Sequence, residues 1–195
     1  NLKCPWCDTK HAWLGSATSK LTPDNIVRQV AEYKLSRHCV ITGGEPMIQK
    51  SVKSLAAKLS ALGKHVTIET NATIAPGNVK CDLASLSPKI MDLPADSLLS
   101  PKSGVSLKIL NEWLSNYDFQ LKFVIGHAHD IANVSRLLDM LGLSPGDERV
   151  FLMPLSSTAN LDKRFEKKIV EICKQHGYRY CHRIHRCLYG NKAGK

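Results

Sequence analysis

Short apolar runs alternate along this chain with longer stretches in which apolar residues recur every three or four positions. Thr22-Pro23 predicts a helix start, with Thr capping and Pro in the first turn, and Ile26, Val27 and Val30 then share one face. Residues 38–42 read as a strand that ends in Gly43-Gly44. Apolar positions at 48, 52, 55, 59 and 62 keep a helical period that Gly63 closes. The next strand, at 66–68, runs into Glu69-Thr70-Asn71, and a weaker one at 81–86 precedes Ser87-Pro88-Lys89. Residues 90–103 carry two further prolines and predict a long loop of the kind that often serves a binding site. Beyond it the pattern predicts a helix over 107–114, a strand over 119–125 and a helix over 131–141 closed by Gly142. A strand over 149–153 stopped by Pro154, a helix over 161–175 ended by Gly177 and a last strand over 178–182 complete it.

Five or six βα units in succession, with no internal repeat, imply parallel strands with helices outside. An open doubly wound sheet and a partial barrel both satisfy that pattern, and periodicity does not choose between them. In either, ligands sit at the C-terminal ends of the strands. The polar or glycine-rich tips fall there, at 42–45, 69–71, 87–89 and Met153-Pro154, which predicts one composite site.

A chain of 195 residues with 43% hydrophobic content is sized for one domain with one core. No apolar run reaches the roughly 18 to 20 residues of a membrane span, and no basic start leads into an apolar leader segment. The net charge of +10 favours anionic ligands. It is densest after Glu171, where Lys174, Arg179, Arg183, Arg186, Lys192 and Lys195 follow with no acidic residue among them. No RNA-binding signature accompanies it, so nucleic acid is not an expected partner. Seven cysteines, an odd number at irregular spacing, do not form a disulfide framework; a reducing cytoplasm with one metal site fits them better. Cys39, Cys81 and Cys173 lie in apolar stretches and are expected to be buried as small hydrophobes.

Cys4 and Cys7 form a C-x-x-C pair, which serves zinc, iron–sulfur clusters or dithiol redox chemistry. A redox pair should open a helix, whereas Asp8-Thr9-Lys10-His11 followed by Gly15-Ser16 reads as a loop. Zinc needs two more ligands, for which Cys181, His182, His185 and Cys187 are the candidates. Gly43-Gly44 at a strand tip lets a ligand approach the main chain, whose carbonyls can accept hydrogen bonds from an ammonium group. His65, His127 and His129 have no partner spacing that points to catalysis, and Trp13 and Trp113 read as packing residues.

Cys4-Pro5-Trp6-Cys7-Asp8-Thr9 resembles the end of the radical S-adenosylmethionine (SAM) motif C-x-x-x-C-x-x-C without its first Cys. Ile41 to Pro46 (Ile-Thr-Gly-Gly-Glu-Pro), Ile68 to Asn71 (Ile-Glu-Thr-Asn), Ser87-Pro88-Lys89 and Leu188 to Lys192 (Leu-Tyr-Gly-Asn-Lys) follow in order. Together they are similar to the 7-carboxy-7-deazaguanine synthase family. Gly-Gly-Glu is general to radical SAM enzymes, while Cys-Asp-Thr combined with Ser-Pro-Lys is narrower.

The resemblance implies an α/β fold, an incomplete (β/α) barrel of the radical SAM type. A single domain would occupy 1–195, lacking the first strand and the first cluster Cys, which is expected directly before Asn1. With two of three thiolates the chain is expected to hold a cluster poorly, and a missing inner strand would expose a sheet edge. The implied activity converts 6-carboxy-5,6,7,8-tetrahydropterin to 7-carboxy-7-deazaguanine with release of ammonia, in 7-deazapurine (queuosine-type) biosynthesis. The implied cofactors are a 4Fe–4S cluster, SAM and Mg²⁺; the implied partners are the pterin, a reductant such as flavodoxin or ferredoxin, and a second copy in a homodimer. Cys4 and Cys7 would bind iron, and Trp6, Cys7 and Asp8 would border SAM. Gly43, Gly44 and Glu45 would meet its methionine end, and Ser87, Pro88 and Lys89 would contact it from another tip. Thr42 would touch the pterin and Thr9 would offer its hydroxyl to Mg²⁺. No side-chain catalyst is expected beyond the cofactor-derived radical. A radical enzyme of the activating type and a C-x-x-C thiol oxidoreductase are the competing readings.

Overall fold

Six strands, all parallel, lie side by side in the order in which the chain makes them. They are β1 (His38–Ile41), β2 (His65–Thr70), β3 (Leu83–Leu86), β4 (Phe119–Ile125), β5 (Val150–Pro154) and β6 (Arg179–Tyr180). The computed structural model describes residues 1–7, 10, 21–91, 93–100, 103–155 and 163–190. A doubly wound sheet reverses its strand order at a switch point. Here no reversal occurs, so successive right-handed crossovers all fall on one face, as in a barrel. Among the described residues β1 and β6 do not pair, and the barrel stays open between them.

Burial alternates along the strands as that curvature requires. On β2, Val66, Ile68 and Thr70 are buried in the layer that meets the helices, while His65, Thr67 and Glu69 are half-buried on the inner face. Val40 on β1 belongs to the inner layer, in register with Thr67, and is 58% exposed. The inner face is therefore a polar, open trough, and the apolar core lies between sheet and helices. Ile68, Leu86, Leu121, Phe123, Val134, Leu137 and Leu152 fill that core.

The helices follow from local signals. In α1 (Pro23–Ala31) the Thr22 hydroxyl accepts from the Asn25 N–H at 3.3 Å, the expected cap. In α2 (Val52–Ala61), Val52, Ala56 and Leu59 form the buried stripe. The helix starts later than its apolar period suggests. Residues Pro46–Ile48 form a separate 3-10 turn and Gln49 is extended, which leaves Ile48 47% exposed. The outer helices continue with α3 (Leu107–Asn116), α4 (Asp130–Met140) and α5 (Lys163–His176). The expected start of α5, at 161, lies outside the described residues.

Three further expectations are refined. Pro154 is the last residue of β5, paired with Ile125, because its missing N–H falls where the ladder ends. The long segment after Lys89 packs into the core through Ile90 and Leu98. Asn133 pins it by donating to the Ile90 and Leu93 carbonyls at 3.3 and 2.8 Å. The strand expected over 178–182 is only Arg179–Tyr180, and a short helix, α6 (Ile184–Tyr189), follows it. Six residues are too few for a helical period to be visible in sequence. Cys173 is buried and its thiol is pushed up to about 11 by that burial; Cys39 and Cys81 are half-buried. Trp113 is fully buried, its indole N–H on the Ile74 carbonyl at 2.9 Å. No helix among the described residues is long and apolar enough to cross a membrane.

Candidate active site

All six strand tips open onto one cavity of about 390 Å³. Thr42, Gly43 and Gly44 reach it from β1, Glu69, Thr70 and Asn71 from β2, and Ser87 and Lys89 from β3. Lys122 and Val124 on β4, Met153 and Leu155 from β5, and Cys181 to Ile184 after β6 complete the wall. Leu2, Cys4, Trp6 and Cys7 border it from the N-terminal segment.

Cys4 to Cys7 form a tight turn, closed by the Cys7 N–H on the Cys4 carbonyl at 3.1 Å, which brings two half-buried thiols to one side of the cavity. Burial pushes the Cys4 thiol up, and the nearby Lys89 ammonium opposes this. Lys89 is itself held below the usual lysine range, chiefly by burial, with Cys4 and Glu69 pulling the other way. Its Nζ donates to Ser87 Oγ at 2.8 Å and sits 5.7 Å from the centre of the Trp6 ring.

Gly43 has φ 153°, a backbone that side-chain-bearing residues rarely adopt, and a Cβ placed on it would meet no atom within 4 Å. The tip therefore presents bare main chain to open space. Glu45 behaves differently from the glycines before it. It is 5% exposed and does not line the cavity. Its Oε1 accepts from the Met47 N–H at 3.1 Å and the Thr70 hydroxyl at 2.7 Å, and its Oε2 accepts from the Asn71 N–H at 2.8 Å. Its carboxylate ties the β1 tip to the β2 tip. Pro88 is buried and carries the chain between Ser87 and Lys89 without itself lining the cavity. Of the residues expected at the site, Cys4, Trp6, Cys7, Thr42, Gly43, Gly44, Ser87 and Lys89 come together. Asp8 and Thr9 lie outside the described residues.

The floor joins Glu69, expected at a strand tip, to Lys122, which no sequence motif marked. Lys122 forms an ion pair with Glu69, whose second oxygen accepts from the Thr42 hydroxyl at 3.5 Å. Among the described residues lining the cavity, Glu69 is the single carboxylate, against Lys89, Lys122 and Arg183. The signal for Lys122 was its place on the polar side of an otherwise apolar strand, between Leu121 and Phe123. Cys181 faces the same cavity with a thiol that burial pushes up. No three His, Cys, Asp or Glu among the described residues are grouped to hold a metal; the side chains of His185 and Cys187, two of the zinc candidates, lie outside the described ones.

A sequence profile described as the radical SAM superfamily matches residues 1–98. The chain is 33% identical over 207 residues to the 7-carboxy-7-deazaguanine synthase of Halobacterium salinarum, spanning 98% of this chain and 80% of that protein. It is 30% identical over 202 residues to the synthase of Rhodopirellula baltica, spanning 100% and 77%. Among solved structures, QueE from Escherichia coli superposes with a TM-score of 0.63 at 24% identity, over 92% of this chain and 79% of that one. That likeness concerns the fold alone.

Proposed function

This chain belongs to the 7-carboxy-7-deazaguanine synthase family of the radical SAM superfamily, and we infer from that membership what its cavity does. It is a radical SAM enzyme that converts 6-carboxy-5,6,7,8-tetrahydropterin to 7-carboxy-7-deazaguanine with release of ammonia, using a 4Fe–4S cluster and SAM. The observation that carries the reading is the cysteine turn facing the same cavity as the bare Gly43-Gly44 tip.

The residues present fit the cofactors. Two thiols from one turn suit adjacent irons of a cluster, and the side chains around them leave room for a ligand on an open iron. When bound, the cluster and SAM supply a one-electron cleavage whose radical removes hydrogen from the substrate. This chain's residues hold and orient. Cys4 and Cys7 would hold iron. Gly43 and Gly44 offer main-chain groups to the methionine end, and Glu45 fixes their turn from behind. Trp6 walls the cofactor, and Ser87 keeps the Lys89 amine aimed into the cavity. Thr42 lies beside the pterin. By family resemblance Asp8 would border SAM and Thr9 would give a hydroxyl oxygen to Mg²⁺, a hard cation that also suits the substrate carboxylate. A reductant such as flavodoxin or ferredoxin, and a homodimer, complete the proposal.

A thiol oxidoreductase is less well supported. The radical SAM profile includes the cysteine turn and the glycine tip within its match, and the curated relatives are 7-carboxy-7-deazaguanine synthases. The test is anaerobic iron and sulfide reconstitution of the full-length protein, followed by incubation with SAM, Mg²⁺, a reductant and the carboxylated pterin. Visible iron–sulfur absorption and release of 7-carboxy-7-deazaguanine are expected. A protein that stays colourless and reduces disulfides instead would overturn the reading.

A further inference from the structure

We propose that Asn71 is a positioning residue that sets the spacing between the cysteine turn and the glycine tip, an inference that rests on the radical SAM reading of the cavity. Asn71 ends the β2 tip and lines the cavity. Its main-chain N–H donates to Glu45 Oε2 at 2.8 Å, on the residue that follows Gly43-Gly44. Its side-chain Nδ2 donates to Asn1 Oδ1 at 2.9 Å, three residues before Cys4. One residue thus bonds in opposite directions to the two segments that must grip a single ligand.

The rest of the network stiffens this link. Asn71 Oδ1 accepts from the Thr73 N–H at 3.0 Å and the Thr73 hydroxyl at 2.7 Å, and Asn1 Nδ2 donates to Thr73 Oγ1 at 2.5 Å. Asn1 is therefore held by both its amide oxygen and its amide nitrogen. Leu2 follows it onto Gly104, where a Cβ would come within 3.3 Å of the Leu2 side chain. Between Asn71 and Thr73, Ala72 is held at φ 57°, a left-handed backbone that alanine adopts only when its surroundings impose it. Among the described residues, Asn71 is bonded to both the segment that leads into the cysteine turn and the residue that follows the glycine tip, so the register between them is carried through it. A ligand bound at both places pays for any slack there, because it must first order the two segments.

A plain turn-forming role makes a different prediction. Asn71→Ser keeps a side-chain acceptor for the Thr73 N–H but is too short to reach Asn1, and Asn1→Ala removes the other end of the link while leaving the turn whole. The experiment uses reconstituted full-length protein and reads melting temperature, iron per chain, SAM dissociation constant, and the change that SAM makes in the paramagnetic spectrum of the reduced cluster. Both variants should keep the wild-type melting temperature and iron content while binding SAM about tenfold more weakly with a diminished spectral change. The double variant should be no worse than either single one. Wild-type SAM affinity in Asn1→Ala overturns the proposal, as does loss of iron along with affinity, since the network would then build the cysteine turn and not its spacing. Failure of the unsubstituted protein to take up a cluster and SAM would instead overturn the underlying reading of the site, and this proposal with it.

Discussion

Lys122 on β4 holds the Glu69 carboxylate on β2 across the whole width of β3, and the Thr42 hydroxyl, just past the end of β1, meets the other carboxylate oxygen. Four strands are thereby spanned by one polar bridge on the inner face. The side chains of Lys122 and Glu69 are 16% and 35% exposed, so removing either charge leaves its partner half-buried without its ion pair. Lys122→Met is expected to lower kcat/KM for the carboxylated pterin by roughly a hundredfold, about 3 kcal/mol, with Lys122→Arg recovering part of it. Anaerobic steady-state kinetics on reconstituted protein checks this. Unchanged kinetics in Lys122→Met would mean that the bridge only braces the sheet.

The two faces of the cavity make separable predictions for its thiols. Cys4→Ala and Cys7→Ala should each abolish cluster binding, read as iron and sulfide per chain and as visible absorption. Cys181→Ala should keep wild-type iron content, because its thiol stands with Lys122, Glu69 and Arg183 and not with the cysteine turn. Loss of iron in Cys181→Ala would contradict that assignment.

Gly43 tests the bare tip. Its φ of 153° is strained for any residue with a Cβ, although no atom stands in the way of one. Gly43→Ala should therefore cost about 1–3 kcal/mol through the backbone alone. Either the fold loses that stability, seen in urea titration, or the tip relaxes and SAM affinity falls by about tenfold or more. A variant with wild-type stability and wild-type SAM affinity would show that the tip is not held in this conformation.

At the far end of the sheet, Arg149 holds the Asp147 carboxyl below the usual carboxylate range through side-chain hydrogen bonds at 2.9 and 2.7 Å. A depressed folded-state pKa gives stability that is present above the unfolded value near about 3.9 and is lost as pH falls through the folded one. Arg149 is 47% exposed on its side chain, so solvent screening keeps the contribution to about 1 kcal/mol at neutral pH. Arg149→Met should be less stable than the natural protein at pH 7 by that amount, and the difference should shrink as pH falls through the lowered Asp147 pKa. Urea midpoints measured across the acid range decide it; a constant difference at all pH values would assign the loss to packing of Arg149 on Phe119.

Much of the site was legible because its chemistry sits at strand tips, where residue type and position coincide. Cys4, Cys7, Thr42, Gly43, Gly44, Ser87 and Lys89 could be named from spacing and resemblance, and they share one cavity. The barrel curvature was not legible from periodicity, because alternating units fit either winding and only the strand order separates them. Lys122 escaped notice for a related reason. A lysine inside a strand is assigned to solvent by default, and only three-dimensional closure turns the inner face of β4 toward Glu69. Glu45 was read with the glycines it follows, but a side chain on a strand tip can turn back under the sheet, where the Thr70 hydroxyl and the Asn71 N–H are waiting for an acceptor. Ile48 misled the helix start because an apolar residue in a preceding turn keeps the same period by coincidence.

The Glu45 carboxylate has a mechanical consequence. Because it bonds both the Thr70 hydroxyl and the Asn71 N–H, the β1 and β2 tips are coupled as one body, so a ligand that displaces one of them drags the other with it.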